Sequence, residues 1–317
     1  YTSGAMTTDD AQRANTVRGP NWQIAALVGV LVLCWIVGNP RSSGPDEPSH
    51  MVYSAAVVRG EFNGKPDPVS PSSELFVLPG MVGAPDPGCW ALQPDVGVGC
   101  ANLQPFDTAE SLRSTTSSNY APWTFVLPGL ASFSPSANAY AYLARLFNAL
   151  LPVLLVSASL LLLGRDRAVS ASAAFLGATP IVWFTLGIVN PSALAISGGL
   201  AVWSGLLVRR SDTAALIAIC GWAAVLLARR DGPLWASAIV LTCCALIGTR
   251  PRDLWKLLGR RGRWVALGLT PLPLVPSIQR GDLGLNLVLA GATVSILIVD
   301  LAIAWWQRHP TRSTRIG

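Results

Sequence analysis

Apolar residues arrive along this chain in long unbroken blocks, not at alternate positions. Eight blocks stand out, at about 22–38, 137–163, 168–187, 192–208, 213–228, 233–248, 264–279 and 284–306. A run of about 18 or more apolar residues with almost no charge is long enough to cross a bilayer as a helix. Barrel strands would alternate every second residue, and these blocks do not. The pattern predicts an all-α integral membrane protein with about eight transmembrane helices. Its expected parts are an N-terminal tail (1–21), a first transmembrane helix (22–38), a large loop (39–136), a transmembrane bundle (137–306) and a basic tail (307–317). The first block ends in Gly-Asn-Pro-Arg without a small-x-small cleavage site, so it reads as a retained anchor. Pro191 separates the third and fourth blocks and cannot continue a helical ladder, which gives a tight turn or a kink. Pro271, Pro273 and Pro276 make the seventh block a broken helix or a re-entrant segment. No internal repeat is evident.

Composition agrees. Charged residues are 13% of the chain, about half the share of a soluble domain. The net charge of +6 is unevenly spread: residues 39–136 hold nine acidic side chains against four basic ones. The basic residues gather at Arg165 and Arg167, at Arg209 and Arg210, between Arg250 and Arg263, and from Arg308 onward. With eight spans these fall on one side together with the N-terminus, and excess Lys and Arg mark the cytoplasmic side. The expected location is a bacterial cytoplasmic membrane with both termini cytoplasmic and the acidic 39–136 loop outside. Arg229-Arg230-Asp231 breaks the pattern by falling on the outer side. No basic domain with interleaved aromatics suggests a nucleic-acid partner.

The loop opens with Gly44-Pro45-Asp46-Glu47-Pro48 and continues through Met51, Tyr53 and Ala55 to Gly60. An acidic residue at the cap, Pro in the first turn and Gly at the stop predict a short helix lying at the membrane surface. Cys89 and Cys100 lie in the same loop between Gly and Pro residues. In an oxidising compartment they can pair as a disulfide, the alternatives being two free thiols or a metal pair. Cys34, Cys220, Cys243 and Cys244 lie in apolar blocks and are expected to be buried.

The candidate chemistry centres on Asp46, Glu47 and His50, whose offsets of three and four residues share a helix face. Ionised carboxylates at a helix start are favoured by the dipole and can take a proton from a hydroxyl or hold a divalent cation such as Mg or Mn. A simple acidic helix cap accounts for one acid of the pair. Arg229 and Arg230 can grip phosphate oxygens, or line a solvated turn. Arg145 lies inside the second apolar block, where a charge needs a partner or a cavity; it can meet an outer-loop carboxylate or a substrate phosphate, or sit at the interface near the outer end of the helix. Asn190 can aim a polar side chain inward from the Pro191 break, or simply form a turn. Asp300 is a further charge in an apolar block, with no role assigned. There is no Gly-rich phosphate loop with Lys, no His cluster for zinc and no Gly-x-Ser-x-Gly element.

Three segments carry a resemblance. They are Pro45-Asp46-Glu47-Pro48-Ser49-His50 with Ala55-Ala56-Val57-Val58-Arg59-Gly60-Glu61, then Asn119-Tyr120-Ala121-Pro122-Trp123, then Gly187-Ile188-Val189-Asn190-Pro191. Over about residues 22–245 the chain resembles an uncharacterised bacterial family of predicted membrane proteins, similar in turn to the C superfamily of membrane glycosyltransferases. Ala121 stands where a second Pro is usual. The resemblance implies transfer of a sugar from a polyprenyl-phosphate carrier to a cell-envelope glycan or lipid. Asp46 is the implied base, Glu47 the second candidate, and Arg229 and Arg230 the phosphate grip. Two other classes remain open: a transporter or flippase of a lipid-linked precursor, and a non-catalytic membrane assembly protein.

Overall fold

The computed structural model describes residues 22–82, 93–97, 109–163, 179–207 and 212–249. The predicted spans 264–279 and 284–306, most of 168–187, both tails, Asp300 and the Cys89 and Cys100 pair lie outside the described residues.

The first apolar block forms α1 (Trp22–Gly38). Val28, Val32 and Ile36, four residues apart, make its buried stripe, while Leu27, Val30, Leu33 and Val37 face outward. The described residues between 39 and 136 build a head, with α2 (Glu47–Val57) and α3 (Val126–Leu130), and the chain returns in a 27-residue helix, α4 (Ala137–Leu163). At 1.5 Å per residue that helix is about 40 Å long, more than a bilayer core requires. It is the one described helix long and apolar enough to cross a membrane by that test alone. Among the described residues four shorter helices come after it: α5 (Pro180–Leu186), α6 (Ser192–Leu207), α7 (Asp212–Ala228) and α8 (Gly232–Leu246). The starts and stops of α6, α7 and α8 fall within a residue or two of the blocks read from the pattern.

Small residues let α6 and α7 pack backbone to backbone. A Cβ on Gly198 would meet the Gly221 carbonyl, and one on Gly205 would meet Ala214 and Ala218. Close approach through Gly and Ala is how apolar helices associate without a hydrophobic driving force. Cys243 and Cys244 are buried as expected; Cys34 and Cys220 are not, because they lie on the outward faces of α1 and α7.

The head departs from the all-α expectation. It contains α2 (Glu47–Val57) and an antiparallel sheet of β1 (Lys65–Pro66), β2 (Glu74–Pro79) and β3 (Glu110–Thr115), in that order. Strand β2 alternates as a strand should: Phe76 and Leu78 point inward and Val77 outward, paired to Leu112. Six residues are too few to announce themselves among long helical blocks, and β3 is mostly polar. A second departure concerns α2, which does not lie on a surface. Nine of its eleven residues are buried, and Tyr53, Ala55 and Ala56 are fully enclosed. Its cover is the sheet on one side and a helical run at 122–133 on the other, whose middle turns form α3 (Val126–Leu130). Gly129 makes this possible, since any side chain there would strike the Ser54 carbonyl and Val58. Tyr140, Ala141 and Ala144 of α4 complete the head's core.

Candidate functional site

Two polar centres form where the head meets the helices. The first is sealed. Arg145 on α4 is 1% exposed and Glu47 at the start of α2 is wholly buried. The guanidinium donates to both carboxylate oxygens, Nε to Oε1 at 2.7 Å and Nη2 to Oε2 at 2.8 Å. Its remaining N–H groups reach the carbonyls of Ile36 (3.1 Å), Asn39 (2.6 Å) and Pro40 (2.7 Å). All five donors of the arginine are used. Those carbonyls sit at and just beyond the C-terminal end of α1, which lacks intrahelical partners and favours a cation. Glu47 Oε1 also accepts the backbone N–H of Val189 at 3.0 Å. Asn148 adds a bond to the Ile188 carbonyl at 2.9 Å. This bolt joins the end of α1, the start of α2, the body of α4 and the turn before α6.

The second centre is open. Asp46, one residue before α2, has φ 60° and ψ 0°, a left-handed conformation that Asp tolerates better than most residues. It makes no capping bond, and its side chain is exposed. One turn on, His50 is 3% exposed. Its ring lies near those of Tyr120 (5.6 Å between centroids) and Phe125 (5.7 Å), and its Nδ1 shares a 2.9 Å hydrogen bond with the Ser117 hydroxyl. Burial pushes the imidazole down to about 4; the Asp46 charge opposes that shift and the Arg229 charge adds to it. His50 is therefore neutral near pH 7. Ser117 and Thr115 hydroxyls also bond Ser49, tying α2 to the end of β3.

Beside this group the turn between α7 and α8 carries Arg229. Its Nη1 donates to the Ser192 hydroxyl at 2.9 Å and its Nε to Asp231 at 3.1 Å, and its guanidinium carbon lies 5.7 Å from the Tyr120 ring centre. Asp231 also accepts the Trp235 indole N–H at 2.9 Å. Burial pushes its carboxyl up, but the bonds from Trp235 and Arg229 outweigh it and hold the group below the usual range. Thr116, Asn119, Tyr120, Arg229, Arg230 and Asp231 line a pocket of about 470 Å³. Two arginines, one of them fixed by three contacts, make it suited to an anion; Tyr120 adds an aromatic wall.

A family model described as "Predicted membrane protein (DUF2142)" matches residues 29–316. The chain belongs to this family. It is thus a membrane protein of an uncharacterised family, and the match continues through the region after residue 250 that the three sequence segments left unassigned. Neither a curated protein nor a solved structure matches it.

Within this family member, the residues singled out from sequence separate into two groups. Asp46, His50, Arg229 and Arg230 are brought to the open centre. Glu47 and Arg145 are drawn into the bolt, where every carboxylate and guanidinium contact is internal. Asn190 shapes a turn: its side-chain oxygen accepts the Ser192 N–H at 2.8 Å as α6 begins. Among the described residues no group of three or more His, Cys, Asp or Glu is placed to hold a metal. Asp46 and Glu47 do not converge on one ligand position, since Glu47 is committed to Arg145 and Val189. Sequence reasoning did not nominate Tyr120, Thr116, Asn119, Asp231 or Ser192. Tyr120 and Asn119 lie in one of the resembling segments; Ser192 carried no signal beyond following Pro191.

Proposed function

We propose that this protein transfers a sugar from a polyprenyl-phosphate carrier to a cell-envelope acceptor, at the extracytoplasmic face of the membrane. The observation that carries the reading is the arginine-lined pocket directly beside the start of α2. Arg229 and Arg230 bind the carrier phosphate there, and Arg229 stabilises the charge that develops as the phosphate leaves. Asp46, exposed and left without a capping role, takes the proton of the acceptor hydroxyl. His50 is neutral and bonded to Ser117, so it orients the Asp46 end of α2 and does not act as an acid. The orientation is supported by the distribution of basic residues. Arg209 and Arg210 follow the far end of α6, whereas the pocket, the head and the α7–α8 turn share the opposite end.

The test uses the full-length protein in detergent and a short-chain polyprenyl phosphate as probe. Saturable binding is expected for the wild type and for Asp46→Asn, and loss of binding for Arg229→Ala/Arg230→Ala. With a polyprenyl-phosphate sugar and an envelope extract as acceptor, Asp46→Asn is expected to bind without transferring. Absence of saturable binding by the wild type would sink the reading and favour the non-catalytic assembly alternative.

A further inference from the structure

The helical run at 122–133 carries a second feature, on the side facing away from α2. Its exposed positions are Trp123, Val126, Leu130 and Phe133, and all four are apolar. Their spacing of three, four and three residues places them on one face of a helix. A helix whose outer face met water would carry polar residues there. The opposite face is fixed: Phe125 packs on Tyr53 at 5.0 Å between ring centres, Gly129 abuts the Ser54 carbonyl, and Arg59 bonds the Ser132 hydroxyl at 2.6 Å while stacking over Phe133 at 4.7 Å. The apolar stripe is therefore a rigid part of the head.

The neighbouring helix identifies the medium. After Ser134-Pro135-Ser136 the chain enters α4, against which α3 packs. Helix α4 presents its own outward row of Leu143, Leu150, Leu154 and Leu161, again at helical spacing. In a membrane protein that row faces lipid, and the stripe adjoins its head end. Trp123 and Phe133 stand at the two ends of the stripe, and Arg59 stacks at its margin. Aromatic rings and snorkelling arginines of this kind belong to the boundary between headgroups and acyl chains.

We infer that residues 122–133 form an in-plane edge seated in the bilayer interface, with Trp123, Val126, Leu130 and Phe133 in contact with lipid. Tyr120, two residues before this run, lines the pocket. The edge thus sets the pocket mouth at headgroup depth, where a ligand with a phosphate head and an apolar tail enters from the side without leaving the membrane. The lipid contact itself does not depend on the chemistry performed in the pocket.

The experiment places a photoreactive diazirine amino acid at Trp123, Val126, Leu130 or Phe133 of the full-length protein. The same residue at Val69, 89% exposed in the loop between β1 and β2, is the aqueous control. Each protein is reconstituted into phosphatidylethanolamine–phosphatidylglycerol vesicles, irradiated and analysed by mass spectrometry. Only preparations with wild-type thermal unfolding are compared. The expected result is roughly tenfold more lipid adduct at the four edge positions than at Val69, as interfacial burial of an apolar face requires. Water-quenched product at the level of Val69 would overturn the inference. Crosslinks to a second protein copy would overturn it in favour of a protein interface. The readout needs neither a sugar donor nor Arg229, so failure of the phosphate-binding test would leave it standing.

Discussion

Asp46 and Glu47 are neighbours in sequence and carry the same functional group, yet they serve two opposite regions of the molecule. Glu47 enters the sealed bolt, where Arg145 and Val189 occupy its oxygens and no solvent reaches it. Asp46 stays exposed one residue before α2, in a left-handed conformation, close enough to His50 for its charge to act on the imidazole. A single peptide unit divides the residue that holds the structure from the one free to meet a ligand. An acidic pair at a helix start should therefore not be assigned one role before the surroundings of each acid are known.

Mutations can separate the two regions, and the largest effect belongs to the bolt. Removing one member, as in Glu47→Gln or Arg145→Met, leaves the other charge buried without its counter-ion, which costs about 3–5 kcal/mol. Thermal unfolding in detergent reads this as a marked fall in Tm. The double substitution Glu47→Leu/Arg145→Met should lose much less than the sum of the single losses, because no charge is then left unpaired.

The next effect belongs to His50, between the two centres. Its folded value of about 4 lies below the ordinary 6.5. The folded state therefore favours the neutral ring. That contribution is complete above about pH 6.5 and is lost as the pH falls toward 4, by about 3 kcal/mol in all. A Tm–pH profile from 7.5 to 4 should fall more steeply for the wild type than for His50→Gln. Parallel profiles would mean that the imidazole titrates freely. The smallest effect on stability is expected at Asp46. Asn keeps the tolerance for left-handed backbone, so Asp46→Asn should alter stability by only about 0.5 kcal/mol. A larger loss would place Asp46 with the bolt and erase the contrast between the two acids.

The helices were legible from sequence because their signal is local and long. Trp22–Gly38 and Ala137–Leu163 are charge-poor blocks bounded by polar or Pro-containing segments, and each of these two helices coincides with its block. Arg145 was visible as a charge needing a partner. A loop carboxylate was one partner to expect, but which of them was not legible, because Glu47 lies 98 positions away and no periodicity links them. The sheet was illegible for a different reason. Only β2 alternates clearly, and β3, with Ser111, Arg113 and Ser114, resembles an ordinary polar loop until it pairs. The burial of α2 was also hidden, because Ser54, Ala55 and Ala56 read as a weakly apolar surface helix. They are small so that neighbouring backbone can press close, as Gly129 does from α3. The pocket was half legible: Arg229 and Arg230 stood out against the charge bias, while Tyr120 and Ser192, which steady Arg229, are ordinary residues made relevant by folding.

The bolt also imposes an order on the birth of the protein. Its atoms come from residues 36–40, 47, 145 and 189, and a ribosome delivers these in four instalments. A nascent chain that ends before Arg145 holds Glu47 without its counter-ion, and one that ends before Val189 lacks the last donor. The first helix and the head, although synthesised early, must wait for the later helices before their shared centre can close. The centre shared by the first helix and the head is thus complete only once α4 and the turn before α6 have both been made.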